Sequence, residues 1–149
     1  MKLIENLKGA KGVLNIVLRD ETGAVKEDVT VENLVVDTGL AYIASRMKDT
    51  TQTAMSHMAV GSGTTNPAAG DTQLESQLGS RVSLTSTTVT DNAVEYVATF
   101  GAGVGTGAVT EAGIFNASSS GTMLCRTVFS VINKGAADTL GITWTVTVN

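Results

Sequence analysis

The last ten residues of the chain alternate between apolar and polar side chains, and this alternation is the strongest constraint on the fold. The apolar positions are Leu140, Ile142, Trp144, Val146 and Val148. Because successive side chains of a strand point to opposite faces of a sheet, the segment predicts a strand with Trp144 in the core. The opposite face is mainly threonine, and it is predicted to face water or a partner.

Two earlier segments predict strands that accompany this one. Residues 122–132 are apolar on both faces, as in a central strand, and residues 109–115 form a shorter apolar run. Between them, residues 116–121 are rich in serine and end in glycine, which is typical of a turn. The three segments together predict an antiparallel meander at the C-terminal end of the chain.

The N-terminal half predicts a β-hairpin followed by a helix. Residues 12–20 and 25–36 each carry apolar side chains at alternate positions, and the short connection between them contains Gly23. Asp37 and Thr38 provide an N-cap for a helix over about residues 38–47. The predicted apolar face of this helix consists of Leu40, Ile43, Ala44 and Met47.

The middle of the chain predicts further strands and a short second helix. Residues 54–60, 81–86 and 93–100 have strand patterns, and Glu75 follows Thr72 at the spacing of a capping box, which predicts a short helix over residues 73–78. The chain is therefore predicted to be mainly β, an antiparallel β-sandwich or barrel-like single domain over residues 12–149.

Residues 1–11 are predicted to form an N-terminal arm. Leu3, Ile4 and Leu7 are its apolar side chains, and Gly9 and Gly12 would end any helical turn that contains them. Such an arm either docks on its own domain or reaches a neighbouring subunit, and the sequence favours neither alternative.

The composition argues against several classes of function. Charged residues make up 16 % of the 149 residues, the formal net charge is −4, and no cluster of lysine and arginine is present, so nucleic-acid binding is not expected. No apolar run approaches the roughly 18 residues that span a membrane, and the N-terminus lacks the apolar region of a signal peptide. The single cysteine, Cys125, is predicted to be a small buried residue.

The sequence offers little that predicts catalysis. The glycine-rich segments 61–63 and 101–107 lead into no predicted helix, so they lack the geometry of a phosphate site. His57 is the only histidine, and the acidic residues are scattered without the spacing of a metal site. We therefore predict no enzyme activity, no cofactor, no metal and no small-molecule substrate. Arg81 and Glu111 are each expected to take part in an arginine–carboxylate bridge, within or between subunits.

Several motifs resemble a pattern that is common in structural proteins of tailed-bacteriophage particles. They include Asn33-Leu-Val-Val ahead of the helix, Val60-Gly-Ser-Gly-Thr64, and Asp71-Thr-Gln-Leu-Glu75 followed by Arg81. They continue with Tyr96-Val-Ala-Thr-Phe100, Thr110-Glu-Ala-Gly-Ile-Phe115 and Ile142-Thr-Trp144. The resemblance runs from about residue 33 to residue 148.

The resemblance implies a small, β-rich and multimeric virion protein made in the cytoplasm of a host bacterium. A short chain that begins at Met1 favours a capsid decoration (cement) protein, whose partners would be the major capsid protein and copies of itself, in a homotrimer. A tail, fibre or other appendage component is the alternative. The expected interface residues are Leu3, Ile4, Leu7, Arg81, Glu111, Thr143, Thr145 and Thr147, with the threonine face of the last strand against a sister subunit.

Overall fold

A computed structural model describes residues 9–48 and 52–149, and it confirms a mainly β fold with one helix in those residues. The elements are β1 (Ala10–Arg19), β2 (Val25–Val35), α1 (Asp37–Lys48), β3 (His57–Gly61), β4 (Val82–Ser83), β5 (Ser86–Thr90), β6 (Ala93–Phe100), β7 (Gly107–Phe115), β8 (Met123–Lys134) and β9 (Thr139–Val148). No helix in this part of the chain is long and apolar enough to cross a membrane.

The nine strands form one antiparallel sheet in the order β4-β3-β7-β8-β2-β1-β9-β6-β5. Strand β2 belongs to both halves of this sheet. Most of β2 pairs with β1 in the predicted hairpin, whereas Leu34 and Val35 at its end pair with Arg126 and Cys125 of β8. The halves β5-β6-β9-β1 and β8-β7-β3-β4 are thus connected through a single strand.

The sheet curls until its two ends meet along one stretch of chain. Val82 and Ser83 pair with β3, and the N–H of Leu84 donates to the carbonyl of Ser56 at 2.9 Å. The next residue, Thr85, donates to the carbonyl of Val97 in β6 at 2.7 Å. Residues 82–90 therefore hydrogen-bond to both halves of the sheet in succession, which gives the fold its barrel-like form.

The core lies between the two halves of the curled sheet. Leu14, Ile16 and Leu18 of β1 are at most 1 % exposed, as their alternation predicts, and Trp144 is completely buried. Cys125 is also buried, which confirms the prediction for the single thiol. The inner faces of β6, β7 and β9 complete one hydrophobic cluster.

The predicted C-terminal meander is wrong in its last step. Strands β7 and β8 pair as expected, but β9 pairs with β1 and β6 instead of β8. The free edge of β8 is taken by the end of β2. The alternation of β9 correctly gives its buried face, but a pattern within one strand carries no information about its neighbours.

The helix forms where it was predicted, but Ile43 is the one member of its predicted apolar face that packs against the core, and Leu40, Ala44 and Met47 are exposed. Leu40 is 43 % exposed and Met47 is 86 % exposed, whereas Tyr42 and Ile43 pack against the core. Gly39, the buried residue of the helix, sets this orientation because a Cβ there would overlap the backbone carbonyl of Leu124. The helix axis approaches β8 through Gly39, and the stripe that contains Leu40 and Met47 turns outward.

Two other expectations need correction. Residues 73–78 form no helix. The carbonyl of Ser76 instead accepts the N–H of Ser62, and the N–H of Leu78 donates to the carbonyl of Val60 in β3. The predicted arm is shorter than 11 residues because Ala10 and Lys11 belong to β1 and pair with β9. The apolar residues predicted for the arm, Leu3, Ile4 and Leu7, lie outside the described residues.

Asn33 points into the barrel beside Gly12, and neither atom of its side-chain amide has a hydrogen-bond partner among the described residues. A buried amide without partners is destabilising, and leucine has a similar branched shape. We expect Asn33→Leu to raise the free energy of unfolding by about 1 kcal/mol in urea denaturation. Asn133→Leu, at an exposed position of β8, is the control and should leave stability unchanged; a loss of stability in Asn33→Leu alone would contradict the prediction.

Candidate functional site

Glu111 of β7 lies at the centre of a buried polar cluster on the outer face of the sheet. Its side chain is fully buried, and residues 62–80 fold over it. One carboxylate oxygen accepts the backbone N–H groups of Gly63 at 3.0 Å and Ser76 at 2.7 Å, and the other accepts that of Glu75 at 3.0 Å. The carboxylate thus takes the place of a backbone partner for three residues of one long loop.

Arg126 of β8 supplies the opposite charge. Its Nε lies 2.9 Å from Glu111, one terminal nitrogen donates to Asp71 at 2.9 Å, and the other donates to the carbonyl of Thr65 at 3.0 Å. The side chain of Arg126 is only 3 % exposed. Buried charges persist in proteins when they are paired and hydrogen-bonded, and this pair meets both conditions.

Glycines allow the loop to approach this cluster. A Cβ at Gly61 would overlap the carbonyl of Ser76, and a Cβ at Gly63 would lie 2.5 Å from the Cβ of Glu75. A Cβ at Gly113 would lie 3.0 Å from Leu74, which packs on the sheet from the loop. The glycines of the Val-Gly-Ser-Gly and Glu-Ala-Gly motifs are therefore explained by close packing of the loop.

A second, smaller hydrophobic cluster lies beside this site and contains Val36, Ala59, Leu74, Phe115 and Met123. The guanidinium of Arg81 stacks on the ring of Phe115 at 3.6 Å from its centroid and donates to the carbonyls of Ala117 and Ser120. Partial burial of this guanidinium lowers the pKa of Arg81. Arg81 thereby fastens the connection between β7 and β8 to the edge of the sheet.

Glu111 takes part in an arginine–carboxylate bridge, as expected, and this bridge lies within the chain. Its carboxylate is enclosed by its own chain, which argues against a place at a subunit interface. Its arginine partner is Arg126, a residue that the sequence reasoning did not select. Arg81 has carbonyl partners and an aromatic ring in place of the expected carboxylate. The signal that would have revealed Arg126 is a single charge in the middle of an otherwise apolar strand, which requires a buried partner.

The threonines of β9 lie on the outer face of the other half of the sheet. Thr143, Thr145 and Thr147 are each partly exposed, and β1 and β6 flank them on both sides. Val13, next to Thr145, is 44 % exposed. The charged residues on this surface are Lys11, Arg19 and Glu95, of which Glu95 lies beside Thr145. The role of this surface in subunit contact stays a prediction.

A cavity of about 340 Å³ opens beside Arg126 and is lined by polar residues of the loop, including Asp71 and Glu75. The guanidinium of Arg126 is already bonded to Glu111, Asp71 and Thr65, so its donors point at the protein. The described residues contain no group of three side chains that could ligate a metal ion. The cavity lies where residues 65–75 pass over Arg126, and the path of these residues accounts for its shape.

His57 contacts one hydroxyl group, that of the preceding Ser56, with 2.8 Å between Oγ and Nδ1. Residues that are adjacent in the sequence give a local contact of this kind without any special arrangement. A nucleophile activated by histidine also needs a group that orients the imidazole, and the described hydrogen bonds of His57 include none. The arrangement does not have the geometry of a catalytic triad.

The opposite end of the barrel is held by lysine contacts. Lys26 and Asp138 form a 2.9 Å ion pair, and the buried Lys134 donates to the carbonyl of Gly101 at 2.8 Å. The hydrogen bond from Lys26 lowers the pKa of Asp138, and desolvation lowers the pKa of Lys134. The ion pair joins the loop after β8 to β2, and the bond from Lys134 joins the loop after β6 to the end of β8.

Burial raises the pKa of the Cys125 thiol well above its usual value, and this has a measurable consequence. Because the thiolate is the reactive form, we expect Cys125 in the folded protein to react with a maleimide or a disulfide reagent at pH 8 at least about tenfold more slowly than in urea. Mass spectrometry of timed samples measures the rate. Equal rates in buffer and in urea would contradict the burial of this residue.

No family model matches the chain, and neither the curated proteins nor the solved structures include a significant match to it. The fold and the buried cluster are thus the basis for inferring its function, together with the motifs that resemble phage structural proteins.

Proposed function

We propose that the chain is a structural protein of a tailed-bacteriophage particle, and specifically a capsid decoration protein. In this role it binds the outer surface of the major capsid protein as a homotrimer and stabilises the shell against the pressure of the packaged DNA. It does so by non-covalent contact, without a cofactor, substrate, nucleic acid or membrane.

The observation that carries this proposal is that separate motifs of the resemblance meet at one place. Val60–Thr64, Asp71–Glu75 and Thr110–Phe115 are far apart in the sequence, but they surround the Glu111–Arg126 pair. Residues that resemble a family because they build its scaffold are expected to pack together in this way. Two further motifs of the resemblance, Tyr96–Phe100 and Ile142–Trp144, lie on β6 and β9 in the other half of the sheet.

The outer face of β1, β9 and β6 provides a surface that suits the proposed contact with a neighbouring subunit. Thr143, Thr145 and Thr147 run along its centre, and partly exposed Val13 and Val97 lie among them. A face of this kind offers hydrogen-bonding and apolar area, and Glu95 beside Thr145 is the charge that a partner on it would have to accommodate. A protein that stabilises a shell by contact needs such area and needs no reactive group.

Phage particles that lack this protein provide the main test. We expect them to assemble and then to lose DNA at a lower temperature than complete particles. Addition of the purified protein should raise the temperature of DNA loss to that of complete particles. Equal heat resistance with and without the protein would contradict the proposal. Electron microscopy with a label on the protein gives a second readout, because a label confined to the tail would favour the alternative appendage role.

A substitution on the threonine face tests the contact surface. Thr143→Lys places a charge between Asn15 and Val97 on this face. We expect it to abolish trimer formation and to weaken binding to undecorated capsids at least about tenfold, since a charge that is buried without an opposite charge beside it is costly. Ser119→Lys, in the exposed β7–β8 connection, adds the same charge elsewhere and is the control. Equal binding by the two variants would exclude this face.

A further inference from the structure

Strand β5 is an exposed edge of the sheet. All five of its residues are exposed, and Val89 is 69 % exposed. In the part of the chain that the structure describes, β5 pairs with β6 alone. Its second edge therefore presents backbone donors and acceptors to the surroundings.

The pairing with β6 determines which groups point outward. Thr90 and Ala93 close a two-residue turn, so they exchange hydrogen bonds, and the alternation of an antiparallel ladder assigns the same role to Thr88 and Ser86. Thr87 and Val89 lie at the positions between them. Their N–H and C=O groups are directed away from β6, and they form a row of two donors and two acceptors.

The sequence of this edge contains none of the features that usually prevent strand addition. Residues 82–90 include no charged residue, no proline and no glycine. Natural edge strands are commonly protected by lysine, proline or a covering segment, because an unprotected edge pairs with other strands. Threonine and valine also favour the extended conformation that strand addition needs.

We propose that a second copy of this chain pairs with this edge, β5 against β5 in antiparallel orientation about a two-fold axis at Thr88. Thr87 of each copy then lies opposite Val89 of the other, and the two pairs form four backbone hydrogen bonds. A two-fold axis lets the same row of groups on both copies be satisfied at once, and every copy of the chain carries this free edge. A strand without charges also brings two acidic chains together without placing like charges opposite each other.

This two-fold contact is distinct from the threonine face and does not depend on a role in a virion. The partner is another copy of the same chain, so purified protein in solution is sufficient for the test. A protein that dimerises but binds no capsid would contradict the proposed function alone. A protein that stabilises capsids without pairing through β5 would contradict this inference alone.

Cysteine cross-linking tests the pairing register. Thr88→Cys places two thiols opposite each other on the two-fold axis at a Cα separation of about 4.5 Å, which permits a disulfide. Thr90→Cys separates the two thiols by more than about 10 Å, which does not permit one. Because Cys125 is buried, the introduced thiol is the reactive one. We expect mild oxidation to give a covalent dimer in Thr88→Cys and not in Thr90→Cys.

Sedimentation velocity over a range of concentrations tests the strength of the contact. Val89→Lys places a charge on the edge, and we expect it to weaken self-association at least about tenfold. Val25→Lys makes the same change at an exposed valine of β2 and should not alter association. Circular dichroism confirms that both variants fold. The inference is overturned by equal association of the two variants, by equal cross-linking of the two cysteine variants, or by the absence of cross-linking in Thr88→Cys.

Discussion

Glu111→Ala is expected to lower the free energy of unfolding by about 3–5 kcal/mol, because it leaves Arg126 buried without its main partner. The change also removes the acceptor of three backbone N–H groups, those of Gly63, Glu75 and Ser76. Urea denaturation followed by circular dichroism measures the loss. A decrease below about 1 kcal/mol would show that the buried pair contributes little to the fold.

Two controls separate this effect from the general loss of an ion pair. Lys26→Met breaks the pair with Asp138, in which the lysine side chain is 45 % exposed, and we expect a much smaller change. The double variant Glu111→Leu with Arg126→Met removes both charges, and it should recover part of the stability that the single change loses. No recovery would mean that the N–H groups of the loop, and not the stranded charge, account for the effect.

Hydrogen exchange gives a local readout of the same change. In the unaltered protein, the amides of Gly63 and Ser76 are bonded to the Glu111 carboxylate and should exchange slowly. In Glu111→Ala these two amides should exchange at rates near those of an open loop. The amides of β1 and β9 should exchange only as fast as the lower free energy of global unfolding of the variant requires. Uniform loss of protection would indicate that the cluster supports the whole fold and not chiefly this loop.

Gly39→Ala is expected to destabilise the protein by about 3 kcal/mol or more, although alanine is the better helix former. The added Cβ would overlap the carbonyl oxygen and carbon of Leu124, which are backbone atoms of a central strand and cannot rotate away. The helix would have to move off β8, and Tyr42 and Ile43 would lose their contact with the core. Thermal unfolding and the near-ultraviolet spectrum of the tyrosines and Trp144 measure both consequences.

Gly70→Ala is the matched control for this substitution. A Cβ at Gly70 would meet no atom within 4 Å, and the residue does not have a positive φ. Alanine at such a position restricts the unfolded chain, so stability should stay constant or rise by a few tenths of a kcal/mol. Equal effects of the two changes would contradict the close contact between α1 and β8.

The sequence predicted the elements of this fold better than their arrangement. The alternation in β1 and β9 correctly identified Leu14, Ile16 and Trp144 as core residues, because the buried face of a strand can be read from the order of apolar and polar residues in that strand alone. The neighbours of β9 depend on contacts between distant parts of the chain, and no local pattern contains them. The meander was therefore the simplest prediction, and it was right for β7 and β8 and wrong for β9.

The buried face of α1 and the partner of Glu111 were not fully predicted, and the two reasons are related. Leu40 and Met47 recur at helical spacing, but the close approach of Gly39 to β8 turns both of them outward. Glycine has no side chain, so a search for periodic apolar residues does not detect it. Glu111 was selected as unusual, but its partner Arg126 is 15 residues away on the next strand. Pairing across strands depends on register, which the sequence alone did not give.

Strand β9 lies between β1 and β6 near the middle of one half of the sheet, although β1 and β9 are far apart in the sequence. Until β9 has paired, β1 and β6 each present an unpaired edge, and the core lacks Trp144. The chain can form its local hairpins early, but completion of this half depends on pairing between strands that are distant in sequence, which is slow. A partly folded chain in which β9 has not yet paired is therefore expected to be the species most prone to aggregation.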